Sequence, residues 1–207
     1  MPQLLVVAAV RQELSALLPS DDGRIETLLT GMGRRRAGES VRRYLARKKV
    51  GLLVSVGFAG GTRPGYQVGD LLMASEVHDA ASGRSFKPIW CPTRLDGRVV
   101  SGRFVTADAP IPDPVSKEAA GKKFGAVGVD METAAVAEAA SEHGVPWVGL
   151  RAILDPMEVH LAVGSTPQAL RMLFTSSGRR ELALFLGSVR TARCSLVEGI
   201  KLLVARV

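Results

Sequence analysis

Residues 4–10 form an unbroken apolar run that stops at Arg11, which is the length and texture of a strand covered on both faces of a sheet. Residues 50–56 repeat that texture, residues 71–77 follow the turn signal Gly69-Asp70, and residues 145–153 end just before Leu154-Asp155-Pro156. Shorter stretches at 27–30, 103–107 and 126–129 predict further strands. Between them the period changes. A short helix is predicted over 11–18. A longer one is predicted over 34–48, where Ala37, Val41 and Leu45 recur at every fourth position and turn the arginines outward. The Ala-rich stretch 131–142 predicts a helix packed tightly on a sheet. From Pro167 onward the chain is helical by composition, with breaks near 176–178 and around Gly187. The polar stretch 78–102 predicts no element.

Strands that alternate with helices predict an α/β fold, with a mixed, largely parallel sheet flanked by helices. A hydrophobic share of 46% in 207 residues suffices for one sizeable core, and no repeat or linker interrupts it, so residues 1–207 are read as a single domain. The net charge of +7 raises the question of nucleic acid. Its distribution argues otherwise. The excess lies in Arg34, Arg35, Arg36, Arg42, Arg43, Arg47, Lys48 and Lys49, with a smaller group at Arg179, Arg180, Arg190 and Arg193. A single aromatic residue falls within each group, Tyr44 and Phe185, which is too few to form a base-stacking platform, and solvated helix faces account for the charge. Cys91 and Cys194 are far apart, and His78, His143 and His160 are dispersed, so neither a metal nor another cofactor is expected. The opening residues lack a basic leader, and no stretch reaches the roughly 20 apolar residues that span a bilayer. A soluble, cytoplasmic protein is the expectation.

Three acidic residues stand at the ends of apolar runs, where open parallel sheets hold their ligands: Glu13, Glu132 and Asp155. Each alone reads equally as a helix cap or a solvated turn residue. The small-residue stretch Gly57-Phe58-Ala59-Gly60-Gly61 is predicted as a turn at a fourth such position.

The wording around these residues adds more. VSVGFAGGTRPGYQVGDLLMASEV (residues 54–77), followed by GVDMETAAVAEAASEHGVPWVGLRAILD (residues 128–155), resembles the nucleoside phosphorylase superfamily. Within it the likeness is greatest to the methylthioadenosine/S-adenosylhomocysteine nucleosidases, and it extends over about residues 4–160. The resemblance implies cleavage of the N-glycosidic bond of a purine nucleoside. Adenine departs more readily as a neutral base than as an anion, so an acid is required at N7, and Asp155 matches that acid. Burial at a strand end supplies the raised pKa this needs, and Pro156 restricts the Asp155 backbone to extended conformations. By the same resemblance Glu132 accepts hydrogen bonds from the ribose hydroxyls, Met131 packs beneath the ring, Glu13 holds the attacking water and Arg151 orients it. Backbone groups of Ile111 read the base edge, and Phe58, Ala59, Gly60, Val129 and Asp130 complete the expected substrate-binding set. Two positions depart from the pattern. Pro110 stands where an aromatic residue stacks on the base, and Leu154 replaces a serine before the acid.

Alternatives stay open. Gly31-Met32-Gly33 and the arginines after it offer a phosphate site, although Glu13 would repel phosphate, which favours water. A second enzymatic reading removes adenine from a lipid-linked adenosine, as in the hopanoid-associated branch, and only then would the membrane be a partner. A third keeps the fold as a binding module. The partner expected otherwise is a small purine nucleoside, and a homodimer is implied by the resemblance alone.

Overall fold

A computed structural model describes residues 4–14, 25–89, 99–160 and 176–205. Among these residues eight strands form one sheet: β1 (Leu4–Ala8), β2 (Ile25–Leu29), β3 (Leu52–Gly61), β4 (Leu71–Asp79), β5 (Ser85–Phe86), β6 (Val99–Thr106), β7 (Gly128–Asp130) and β8 (Trp147–Asp155). β3 pairs parallel with β1 and β8, β1 with β2, β4 with β6, and β6 with β7. β8 pairs antiparallel with β4, and the end of β3 pairs antiparallel with β7, so the run β3, β8, β4, β6, β7 returns to β3. The sheet is thus mixed and largely parallel, as its apolar runs imply.

Helices cover both faces. α2 (Arg34–Leu45) and α4 (Thr133–Glu142) share one core with Leu5, Leu53, Leu72 and Phe104. On the other face Ala192, Leu196, Ile200 and Leu203 of α5 (Ser176–Val204) pack on Leu4, Val54, Met73 and Leu150. The outward arginines of α2 are paired as well as solvated. Arg42 bridges to Glu138 and Glu142 of α4, which ties the two helices together.

Several elements depart from the pattern-based reading. Residues 57–61 are not a turn: β3 runs on through them to Gly61, with a bulge between Ala59 and Gly60. α5 begins at Ser176 and runs without a break through Gly187, because one glycine costs a helix only about 1 kcal/mol and the buried residues that follow hold it in place; residues 161–175, before the break expected near 176–178, lie outside the described residues. α1 (Arg11–Leu14) covers only the first half of the stretch predicted helical, and residues 15–18 lie outside the described residues. In the polar stretch 78–102, β4 continues to Asp79, turns back into β5 and is followed by the start of β6 at Val99, while 90–98, with Cys91, are not described. No helix among the described residues is long and apolar enough to cross a membrane.

One element, α3 (Pro114–Phe124), has no apolar stripe in the sequence at all. Its signals are at its ends. The Asp113 carboxylate accepts from the Ser116 amide at 2.8 Å, Pro114 occupies the first turn, and Gly125 closes the helix at φ 63°. Its buried residues are Lys117, Ala120 and Gly121, and a buried lysine erases the hydrophobic periodicity.

Gly121 brings α3 against the end of β3. A Cβ there would lie 2.3 Å from the Thr62 carbonyl oxygen, a backbone atom with no freedom to retreat. Gly121→Ala is therefore expected to destabilise the protein by about 1–3 kcal/mol, seen as a lower urea midpoint at unchanged slope. An unchanged midpoint would show that α3 is not seated this closely.

Candidate active site

The carboxyl ends of β1, β3 and β8 open on one cavity of about 230 Å³. Glu13, Phe58, Ala59, Gly60, Ile111, Val129, Asp130, Met131, Glu132 and Asp155 all line it, together with Ala9, Val10, Met32, Ala109, Pro110 and Leu154. Ten of the eleven residues singled out from the sequence thus meet in one place, and Arg151 stands behind them.

Glu13 sits in α1 and is 5% exposed. Its Oε2 accepts from the amides of Ala9 and Val10 at 2.9 and 3.0 Å, and its Oε1 from the amide of Phe58 at 3.1 Å. Burial pushes its pKa up, while the Val10 amide, the charge of Arg151 and the other two amides pull it down. β3 admits this carboxylate because residue 57 is glycine: a Cβ there would stand 2.9 Å from Oε1.

Glu132 lies between β7 and α4 and accepts at Oε1 from the Gly33 amide at 2.7 Å. The Gly31-Met32-Gly33 loop is shaped for this, since both glycines have positive φ, 82° and 95°. Burial, and then the neighbouring Asp130 charge, raise the pKa of Glu132 to about 7.

Arg151 lies within β8, 2% exposed, and its guanidinium turns into the protein. It donates to Asp130 Oδ2 from Nε at 3.0 Å, to Ser55 through both its carbonyl and its hydroxyl, and to the Thr133 hydroxyl at 2.5 Å. Asp130 also accepts from the Thr106 hydroxyl at 2.7 Å and from the amide and hydroxyl of Thr133. Arg151 therefore acts on the cavity through Asp130 and through its charge on Glu13 and Glu132.

Asp155 ends β8, packed against Gly60. Burial raises its pKa, and an ion pair with Lys117 opposes that. Arg34, a candidate for binding phosphate, is held by Asp79 and Asp108. Among the described residues no cluster of three or more His, Cys, Asp or Glu side chains is disposed to hold a metal ion.

With this geometry in view, a sequence model described as the phosphorylase superfamily matches residues 91–186. A 5′-methylthioadenosine/S-adenosylhomocysteine nucleosidase of Anoxybacillus flavithermus is 28% identical over 160 residues, 65% of this chain and 69% of that protein. Another, from Geobacillus kaustophilus, is 29% identical over 153 residues, 62% of this chain and 65% of its own. The chain thus matches about two thirds of the length of these curated relatives. The crystal structure of the Neisseria meningitidis nucleosidase, in complex with methylthio-immucillin-A, covers 100% of both chains with a TM-score of 0.76 at 19% identity, a likeness of fold. Over residues 91–186, a little under half of its length, the chain is similar to the phosphorylase superfamily.

Sequence reasoning missed Lys117, the one cation in contact with Asp155 among the described residues. The capping signals of Asp113-Pro114 and Gly125 were the available pointers to its helix. Met32, also missed, lies at the cavity with 64% of its surface exposed.

Glu132 holds its proton more tightly in the folded chain than in the unfolded one. Its contribution to stability is therefore complete below pH 4.5 and is lost as pH rises through about 7. Glu132→Gln removes that loss. Between pH 5 and pH 8 the variant should gain on the wild type by on the order of 2–3 kcal/mol, measured by urea unfolding at both values. A stability difference that stays constant with pH would contradict this account.

Proposed function

We propose that the protein hydrolyses the N-glycosidic bond of a 5′-substituted adenosine of the methylthioadenosine or S-adenosylhomocysteine kind. The observation that carries the reading is the convergence of Glu13, Glu132 and Asp155, from three separate parts of the chain, on one largely apolar cavity. The names of the relatives supply the substrate class.

The carboxylates divide the labour by their surroundings. Asp155, with its pKa raised by burial, gives its proton to N7 of adenine. As the C1′–N9 bond breaks, its electron pair goes to the base, which leaves neutral, and the ribose becomes cationic at C1′. Glu132, at the ribose hydroxyls, stabilises that charge over Met131. Water held by Glu13 adds its oxygen to C1′ and gives its proton to the Glu13 carboxylate. The products are adenine and the free sugar, and solvent then returns a proton to Asp155 and takes one from Glu13. Ile111 presents backbone groups to the base edge where Pro110 offers no aromatic face.

Water is favoured over phosphate by two observations. Glu13 is anchored by three amides, and a carboxylate held at the cavity supports water over an anionic nucleophile, which it would repel. Arg34 is already committed to Asp79 and Asp108. A homodimer working in the cytoplasm belongs to the same reading, supported by the exposed Met32 at the cavity's edge, which a second subunit would cover.

Incubation with methylthioadenosine should release adenine and free methylthioribose at a rate unaffected by added phosphate. Asp155→Asn should lower that rate by about 10²–10⁴-fold. An unchanged rate in the variant would overturn the mechanism, and a sugar 1-phosphate product would overturn hydrolysis.

A further inference from the structure

Lys117 is 0% exposed, yet no step above uses it. A lysine is almost never fully buried unless its ammonium is paired, and here all three of its donors are engaged. Nζ lies 2.7 Å from Asp155 Oδ2, 3.1 Å from the Pro156 carbonyl oxygen and 2.7 Å from that of Val159. It arrives from α3, a helix otherwise remote from β8 in sequence, and Gly121, one turn further on, lets that helix sit against Thr62 closely enough for the lysine to reach. Leu154, the residue before the acid, has no polar group to steer the carboxyl and packs toward the α5 core instead.

We propose that Lys117 is the positioning residue of the acid: it holds Asp155 by Oδ2, leaves Oδ1 for the base, and balances the charge that remains when the proton has gone to N7. This rests on Asp155 being the acid of the reaction proposed above. In the step itself the proton on Oδ1 passes to N7, the C1′–N9 electron pair goes to the base, and the new carboxylate is neutralised by an ammonium already in contact. An opposite charge within about 4–6 Å costs nothing in reorganisation at the moment of transfer.

The other groups around Asp155 do not duplicate this role. Across the cavity stand Glu132, ahead of α4, and Glu13 of α1, both acidic. Arg151, on β8 itself, is turned to Asp130, and β3 contributes Gly60. Beyond the strand end, Glu158 accepts from the Gly65 amide, and His160 acts on Asp113.

A lysine that only staples α3 to the segment after β8 would affect stability and leave the titration of the acid where it was. The pH profile of adenine release from methylthioadenosine separates the two roles. The acid works protonated, so the rate falls as pH rises through its pKa. Removing the neighbouring positive charge raises that pKa. In Lys117→Met the alkaline limb of kcat should move up by about 1–3 pH units, with kcat lowered far more than KM is raised, whereas Lys117→Arg should keep the limb near the wild-type position. Release of 4-nitrophenol from its β-riboside, a leaving group that needs no proton, should be affected much less than release of adenine. A folded Lys117→Met with an unmoved limb overturns the proposal. If neither variant folds, wild-type protein labelled with ¹³C and ¹⁵N carries the test: the Lys117 Nζ resonance should follow the Asp155 carboxyl titration, and a resonance indifferent to it is equally fatal. Loss of activity in Asp155→Asn with no effect at Lys117 would sink this inference and leave the hydrolase intact. Full activity in Asp155→Asn would sink the hydrolase mechanism first.

Discussion

The buried pair of Arg151 and Asp130 is the interaction on which the site depends. Arg151 comes from β8 and Asp130 from the end of β7, and their partners Ser55, Thr106 and Thr133 belong to β3, β6 and the start of α4. One ion pair with its hydrogen bonds thus fixes five elements relative to one another. Both charges are almost wholly removed from water, 2% and 5% exposed, so the desolvation cost is offset only while every partner is in place. Removing one member of such a pair typically costs about 3–5 kcal/mol, because the other is left as an unpaired charge in the core. A greasy pair of the same volume would hold the strands as well, but it would not put a fixed positive charge behind the cavity.

That charge matters because the cavity gathers acids in an apolar setting. Glu13, Glu132 and Asp155 would repel one another and resist burial if nothing compensated them. The compensation is different in each case. Glu13 is held by three backbone amides and lies within the field of Arg151, Glu132 has one amide and the same field, and Asp155 has a lysine. The glycines of β3 make the convergence sterically possible. A side chain at residue 57 would strike Glu13, and one at residue 60 would crowd both carboxyl oxygens of Asp155. The continuation of β3 through Gly61 is what brings these small residues alongside the end of β8.

The central strands β1, β3 and β8 were legible because they are buried on both faces and so carry continuous apolar runs, whereas β5 and the start of β6, short or half-exposed, left no such run. The helices α2 and α4 were legible because one side of each is made of Ala, Val and Leu. The strand character of residues 57–61 was hidden by glycine, which a sequence reader takes as a turn signal and which here serves close approach. The uninterrupted α5 was hidden for the same reason at Gly187. Ten candidate site residues were legible from the company they keep, a likeness of wording and not a periodicity. Lys117 was not, because a charged residue at a buried helical position is indistinguishable in one sequence from a solvated one. Its burial follows from tertiary contacts with Asp155, Pro156 and Val159, 38 or more residues away.

In the proposed hydrolysis, the differences in compensation would give the three acids different roles. An acid needs its proton before the bond breaks and a partner for its charge afterwards, and burial plus a contacting ammonium would give Asp155 both in the proposed reaction. A group that stabilises a cation needs to respond to it. Glu132, poised near neutrality by burial and by Asp130, would gain affinity for its charged state as positive charge grew on a sugar beside it, so in the proposed reaction its favourable interaction would be stronger in the transition state than in the ground state. Glu13, with more amide donors than either, is the one best held as an acceptor for a water proton. On this reading the fold assigns function less by which residue types it brings together than by how unequally it solvates them.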